Sequence, residues 1–297
     1  MNNKFMLGCL AGLSAAIIWG LWPVLTRSGV TSSFSPNEIV VLRFIVCGLL
    51  LFPIFLKNKC FQKVSVIKSI VLTSGAGALY VYASALGLKF APAGHLGVVG
   101  TGSMLLLSAL GGFLVLKETK NRWQILGYIV VISGMILINI QNLFVSYSKD
   151  VLFGDLFLAI GGGLWAMYTV FNKKWLISSW DAVSIVSVYS FVIFVPIIFI
   201  MDYENINLLS KPLDDLLVQA IGQGIIAAIV ALYLFTLSVN LLGASKGSSF
   251  GAFVPGTAML GGFIYLNEVP TYLEVFGVLF ATIGIVLILS ERKKILK

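Results

Sequence analysis

Apolar residues run along this chain in long stretches, and most charged residues are confined to the short gaps between them. A helix that crosses the hydrocarbon core of a bilayer needs about 20 mainly apolar residues. Ten stretches qualify: Met6–Thr26, Pro36–Leu56, Val66–Leu88, His95–Leu116, Gln124–Ile140, Leu152–Asn172, Ala182–Met201, Leu216–Val239, Ser248–Leu266 and Tyr272–Leu289. The pattern therefore predicts an all-α integral membrane protein with ten transmembrane helices. The first stretch follows Lys4 and has the look of a signal peptide, but nine more of the same character come after it, so it is read as a retained helix. Ten spans use about 200 residues, and the short loops left over hold no extramembrane domain. Whatever the chain does is expected to happen inside the bilayer.

Composition agrees with that pattern. Hydrophobic residues make up 59%, charged residues 11%, and the mean hydropathy is +1.00, whereas a soluble domain is about a quarter charged. The net charge of +8 is not a nucleic-acid footprint, because the basic residues sit in short clusters and form no stripe along a polar helix face. Cys9, Cys47 and Cys60 are irregularly spaced and suit neither a disulfide framework nor a zinc site. No metal, cofactor or nucleic-acid partner is expected. Lys and Arg alternate strongly between successive loops. With a cytoplasmic N-terminus, fifteen fall on the inner side, among them Lys57, Lys59, Lys63, Lys117, Arg122, Lys173 and Lys246, and four (Arg27, Lys89, Lys149, Lys211) on the outer. Basic loops stay on the cytoplasmic side, so both termini should be cytoplasmic and the 141–151 loop outside.

The chain also repeats itself. Shifted by 150, Gly111-Gly-Phe-Leu-Val-Leu-Lys-Glu118 overlies Gly261-Gly-Phe-Ile-Tyr-Leu-Asn-Glu268, and Gly127 and Gly134 meet Gly277 and Gly284. Nine of the 28 positions from 111 to 138 are identical, more than a shared apolar alphabet gives by chance. Shifted by 146, Gly8 and Trp19 meet Gly154 and Trp165. This divides the membrane domain into a first repeat, 1–146, and a second, 147–297. Five spans per half is an odd number, so the second half enters the membrane inverted. Inverted repeats recur in secondary transporters, whose halves exchange conformations around a midplane site.

Several motifs then fall into order. Trp19-Gly-Leu-Trp-Pro23 lies near the end of the first span, Phe34-Ser-Pro-Asn-Glu38 and Leu42-Arg-Phe44 open the second, and Ala91-Pro-Ala93 precedes the fourth. With the doubled Gly-to-Glu segments, 111–118 and 261–268, this series resembles the ten-helix, EamA-type permeases of the drug/metabolite transporter superfamily, over essentially the whole chain. The family often carries a proline within the fourth helix; here Leu105 stands in that place and only the ninth helix has one, Pro255. The resemblance implies a small-molecule permease, commonly an exporter of amino acids or other metabolites.

Arg43 is the most informative charge. It lies seven residues into its span, about 10 Å deep at 1.5 Å per residue, where a cation faces the bundle interior or water. It is either an anchor for a substrate carboxylate or phosphate, or a structural group tied to helix-end carbonyls or to Glu38. Trp19 and Trp165, related by the repeat and away from the span ends, are candidate cavity residues. Tyr168 shares a helix face with Trp165, whereas at most one of Tyr80 and Tyr82 can point inward. Gln223 and Tyr233 of the eighth span complete the substrate-binding candidates. Trp22, Trp123, Trp175 and Trp180 read as an interfacial belt.

Glu38, His95 and Pro255 are the gating or coupling candidates. His95, the single histidine, reads as a capping or water-facing residue, with a proton relay as its functional alternative. Glu38, Glu118, Asp155 and Glu268 all sit at span ends, where helix-dipole roles compete, so coupling through a deep carboxylate has no support in the sequence. The many glycines read as helix-packing positions, with sliding faces as the functional alternative. The leading expectation is a secondary transporter of a small amphiphilic metabolite, monomeric or homodimeric, in a bacterial inner membrane. A nucleotide-sugar transporter of the same fold is the rival. An intramembrane enzyme would need a nucleophile–base pair or metal cluster at depth, and a scaffold or sensor would need surface this chain lacks.

Overall fold

The computed structural model describes residues 3–117, 121–144, 149–242 and 250–289; Glu118, Lys246, Ser248 and the basic C-terminal cluster lie outside them. Among the described residues ten long helices follow one another: α1 (Asn3–Ser32), α2 (Pro36–Lys57), α3 (Val66–Phe90), α4 (Ala93–Leu116), α5 (Arg122–Phe144), α6 (Lys149–Trp175), α7 (Ser179–Asn205), α8 (from Leu213–Gln219 through Ala220–Val230 to Ala231–Leu242), α9 (Phe250–Leu266) and α10 (Tyr272–Leu289), with a short helix, Cys60–Lys63, between α2 and α3. Eight are long and apolar enough to cross a membrane, and α9 and α10 are shorter apolar helices. Each apolar stretch of the sequence falls on one of the ten. Helix α1 runs past the expected end of its span, so Arg27 belongs to a helix and not to a loop.

Local chemistry sets the starts of two related helices. At α2, Ser35 Oγ accepts from Glu38 N (3.2 Å) while the Glu38 carboxylate accepts from Ser35 N (2.8 Å), a reciprocal capping box. Helix α7 begins with half of that pattern, Ser178 Oγ accepting from Asp181 N at 3.2 Å. Large apolar side chains such as Leu50, Leu110, Phe113, Ile129 and Phe263 are exposed on the outside of the bundle, as lipid requires.

Glycine builds the interior contacts. A Cβ on Gly127 would lie 2.7 Å from the Gly284 carbonyl oxygen, and one on Gly134 2.7 Å from that of Gly277. The glycine pairs repeated in the sequence therefore pack on each other where α5 crosses α10. This is the close backbone approach by which helices associate in lipid. The repeat is equally visible in the backbone: Lys117 (φ 57) and Asn267 (φ 55) both end their helices in the left-handed region, with their N–H groups on Gly112 O and Gly262 O.

Several helices are interrupted. Helix α3 breaks at Gly77, where Ser190 Oγ of α7 accepts from Ala78 N at 3.2 Å. Wider π-helical turns occupy Leu96–Gly100 in α4, Ser190–Phe194 in α7 and Ala220–Val230 in α8. Such turns release backbone groups and redirect side chains, and they often accompany functional sites. The irregularity of α4 thus lies in its first turns and not at Leu105. In α9 a 3₁₀ turn, Phe250–Phe253, leads into Pro255 in the first turn of its α-helical part.

Candidate functional site

A polar and aromatic cluster forms where α1, α2, α3, α6 and α8 meet. Gln223, fully buried in the π-helical part of α8, organises one side of it. Its Oε1 accepts from Trp22 Nε1 (2.6 Å) and Arg43 Nη1 (3.3 Å), and its Nε2 donates to Thr26 Oγ1 (2.9 Å) and Gln219 Oε1 (3.2 Å). Gln219 in turn donates to Leu25 O at 2.8 Å. The amide is saturated.

Arg43 is not. Its guanidinium carbon lies 5.5 Å from the Trp22 ring centroid and 5.9 Å from that of Phe44, within cation–π range. Its Nε is buried without a partner, and among the described residues no carboxylate reaches it. The expected structural partner, Glu38, is engaged elsewhere: its carboxylate takes Asn207 N (2.9 Å) and Lys211 Nζ (3.2 Å).

From Trp22 the aromatic series continues to Tyr80 (stacked, 5.8 Å), Trp165 (edge-on, 4.7 Å) and Tyr168 (5.8 Å). Tyr80 and Trp165 line a cavity of about 30 Å³ together with Ser84, Leu96, Gly100, Thr101, Met104, Leu158 and Gly162. Of the pair in α3, Tyr80 is the one that turns to this cavity; Tyr82 packs against the apolar core.

The structure brings together Arg43, Tyr80, Trp165, Tyr168 and Gln223. It leaves out Tyr233, which is half-exposed and pairs with Trp180 on the outside of α8 (6.3 Å). Trp19 turns to α8 as well, donating to Ala227 O at 3.3 Å and packing on Phe235. Trp22, read as an interfacial residue, is buried in the cluster instead. The signal for it was present: under the same 146-residue shift that relates Trp19 to Trp165, Trp22 falls on Tyr168.

A second, charged set occupies the end of the bundle that carries Glu268. Arg27 pairs with Glu268 and donates to Leu88 O and Ala91 O, both at 2.6 Å. The other oxygen of Glu268 accepts from Ala93 N at 3.0 Å. His95 is 1% exposed and not water-facing. Its Nδ1 lies 2.9 and 3.1 Å from the two oxygens of Asp155, and its Nε2 3.2 Å from Glu274 Oε1. Asp155 was expected at a span end, but it is buried six residues inside α6. Pro255 is buried where α9 crosses α4; a Cβ on Gly97 would lie 2.7 Å from its Cα.

At the opposite end Asp181 accepts from Asn58 Nδ2 (2.9 Å) and Lys63 Nζ (3.4 Å), close to Cys60. Partial burial and the Asp181 carboxylate push the Cys60 thiol up to about 11, so it stays protonated and unreactive near neutral pH.

The profile of the EamA-like transporter family matches residues 6–140 and again residues 152–290. An uncharacterized transporter of Archaeoglobus fulgidus is 21% identical over 227 residues, 75% of this chain and 76% of that protein. The uncharacterized transporter YoaV of Bacillus subtilis is 22% identical over 289 residues, 95% of both chains. A solved crystal structure shares the fold with a TM-score of 0.61 at 16% identity, over 94% of this chain and 95% of its own. With two matches that follow each other along nearly the whole chain, each covering one set of five helices, the protein belongs to the EamA-like transporter family.

Proposed function

We propose that this chain is a secondary transporter that exports a small amphiphilic metabolite bearing an anionic group, an amino acid or similar solute, by alternating access. It sits in a bacterial inner membrane with both termini cytoplasmic, so that the Glu268 end faces outward. One observation carries the reading. Arg43 holds a cation within the bundle with no carboxylate to balance it among the described residues, and with its Nε unpartnered. A buried charge of this kind is costly unless something neutralises it. A solute carboxylate or phosphate would do so, while Tyr80 and Trp165 take its apolar part. The adjoining cavity of about 30 Å³ has room for little more than water, so on this reading a solute enters when the helices part. The family match and the relatives named as transporters support transport over catalysis.

Flux of a radiolabelled panel (amino acids, monocarboxylates, nucleotide sugars) in proteoliposomes tests this. Arg43→Ala should cut flux per folded molecule at least about tenfold, the worth of a hydrogen bond to a charged group. Arg43→Lys should recover only part, because an ammonium cannot reproduce a two-pronged contact. Unchanged flux in well-folded Arg43→Ala would remove it from the site.

A further inference from the structure

His95 occupies an unusual position for a lone histidine: both of its ring nitrogens face carboxylate oxygens, at 2.9 and 3.1 Å to Asp155 and 3.2 Å to Glu274. A neutral imidazole has one N–H and one lone pair, and an ionised carboxylate only accepts. With a neutral ring, one nitrogen would present its lone pair to a carboxylate oxygen at hydrogen-bond distance, which is repulsive. The contacts are satisfied only when the trio carries one further proton, on the ring or on a carboxyl, and this holds whichever tautomer is drawn.

The carboxylates cannot simply turn away. Glu274 Oε2 accepts from Thr271 N at 2.7 Å and Glu274 N donates to Thr271 Oγ1 at 3.3 Å, a capping box that leaves Oε1 directed to His95. Both oxygens of Asp155 are on Nδ1. The other charges nearby are already balanced. Glu268 lines the same pocket but is paired with Arg27 of α1, and Lys89 at the end of α3 is exposed, its ammonium over the Phe90 ring.

The trio joins α4 of the first repeat to α6 and α10 of the second, and it stands between two spaces. On the Glu268 side, His95 and Glu274 line a pocket of about 200 Å³ with Pro92, Gly94, Met259 and Glu268. On the other side the next residue, Leu96, lines the central cavity and begins the π-helical turn.

We infer that His95, Asp155 and Glu274 form a proton site that holds the outer end of the bundle shut while it is occupied and yields its proton to external water when that end opens. The inference rests on the alternating-access reading above. Parting α10 from α4 removes Glu274 from Nε2 and admits water from the pocket; the imidazolium then loses its proton to that water and remains a neutral ring beside Asp155. The closed form binds one proton more than the open form. By linkage, external acid favours closure, and raising the pH favours opening.

Spin labels on Asp150→Cys (α6) and Tyr272→Cys (α10), both exposed positions, in a chain without its native cysteines and reconstituted in nanodiscs, report the separation by pulsed electron resonance. The longer distance should rise from under about 10% of molecules at pH 5 to the major form at pH 9. His95→Gln should show it at both pH values, because a single amide nitrogen cannot reach both carboxylates where two separate ring nitrogens did. Glu274→Gln should do the opposite and stay closed at both, since its amide can donate to a neutral ring with no added proton. A pH-independent distance in the otherwise unaltered chain, or a pH response that survives in Glu274→Gln, would overturn the inference. If the flux panel finds no solute while the distance still responds to pH, the transport reading falls and the proton site stands. Flux with a pH-independent distance has the reverse meaning.

Discussion

The two ends of the bundle are built from the same backbone parts and carry different chemistry. At the Glu268 end charged side chains tie helices in three places: Arg27 to Glu268, His95 to Asp155 and Glu274, and Lys211 to Glu38. At the other end Asp181 joins Asn58 of α2 to α7, and its Lys63 partner is more than half exposed. The inverted repeat makes the contrast exact in position. Asn121 and Gln124 begin α5 with the same capping bonds by which Thr271 and Glu274 begin α10. The two starts lie at opposite ends; one is neutral and the other acidic.

Inverted repeats allow two conformations related by a pseudo-two-fold rotation, and side-chain charge biases the choice between them. A partly buried ion pair adds little net stability after desolvation, and its best-attested use is to specify one arrangement. On the proposed alternating-access reading, the polar links at the Glu268 end act as latches and the glycine contacts as the scaffold that both conformations share.

The comparison predicts unequal costs. Arg27→Ala leaves Glu268 without its cation and two carbonyls without a donor, and should lower stability by about 2–3 kcal/mol in a thermal melt in detergent. The double change Arg27→Met, Glu268→Gln should regain most of that, because no orphan charge remains. Asp181→Ala at the other end should cost about 1 kcal/mol, mainly the Asn58 bond, since an exposed lysine contributes little. Equal losses at the two ends would end the latch-and-scaffold distinction.

How much of this could be read from the sequence depends on the kind of signal. Spans were legible because every backbone group in lipid must be satisfied within a helix, which forces long apolar runs. The glycine pairs were legible because they recur at one shift. Helix direction around the axis was not: Trp19 and Trp22 lie within one turn, and which of them faces the cluster is set by α8, far away in sequence. The outward placement of Tyr233 was hidden for the same reason, as depth along a span does not say which side faces lipid. Asp155 and Glu274 escaped notice as partners of His95 because they are 60 and 179 residues away in sequence. Glu274 left one trace, as the acidic counterpart of Gln124 under the 150-residue shift.

That counterpart allows the mildest test. Gln124 Oε1 accepts from Asn121 N at 3.0 Å, the role that Glu274 Oε2 plays toward Thr271. Gln124→Glu keeps an acceptor in the same place and adds a negative charge near a helix N-terminus, where the dipole favours it. Stability should change by no more than about 0.5 kcal/mol, and in the stabilising direction at low salt. The change supplies a carboxylate but no histidine to meet it, because position 245, which matches His95 at this shift, is a serine. The label distance of the opposite end should therefore keep its pH response. If Gln124→Glu alone abolished that response, the charge difference between the ends would be acting through the whole bundle, and the assignment of the response to His95 and its two carboxylates would fail.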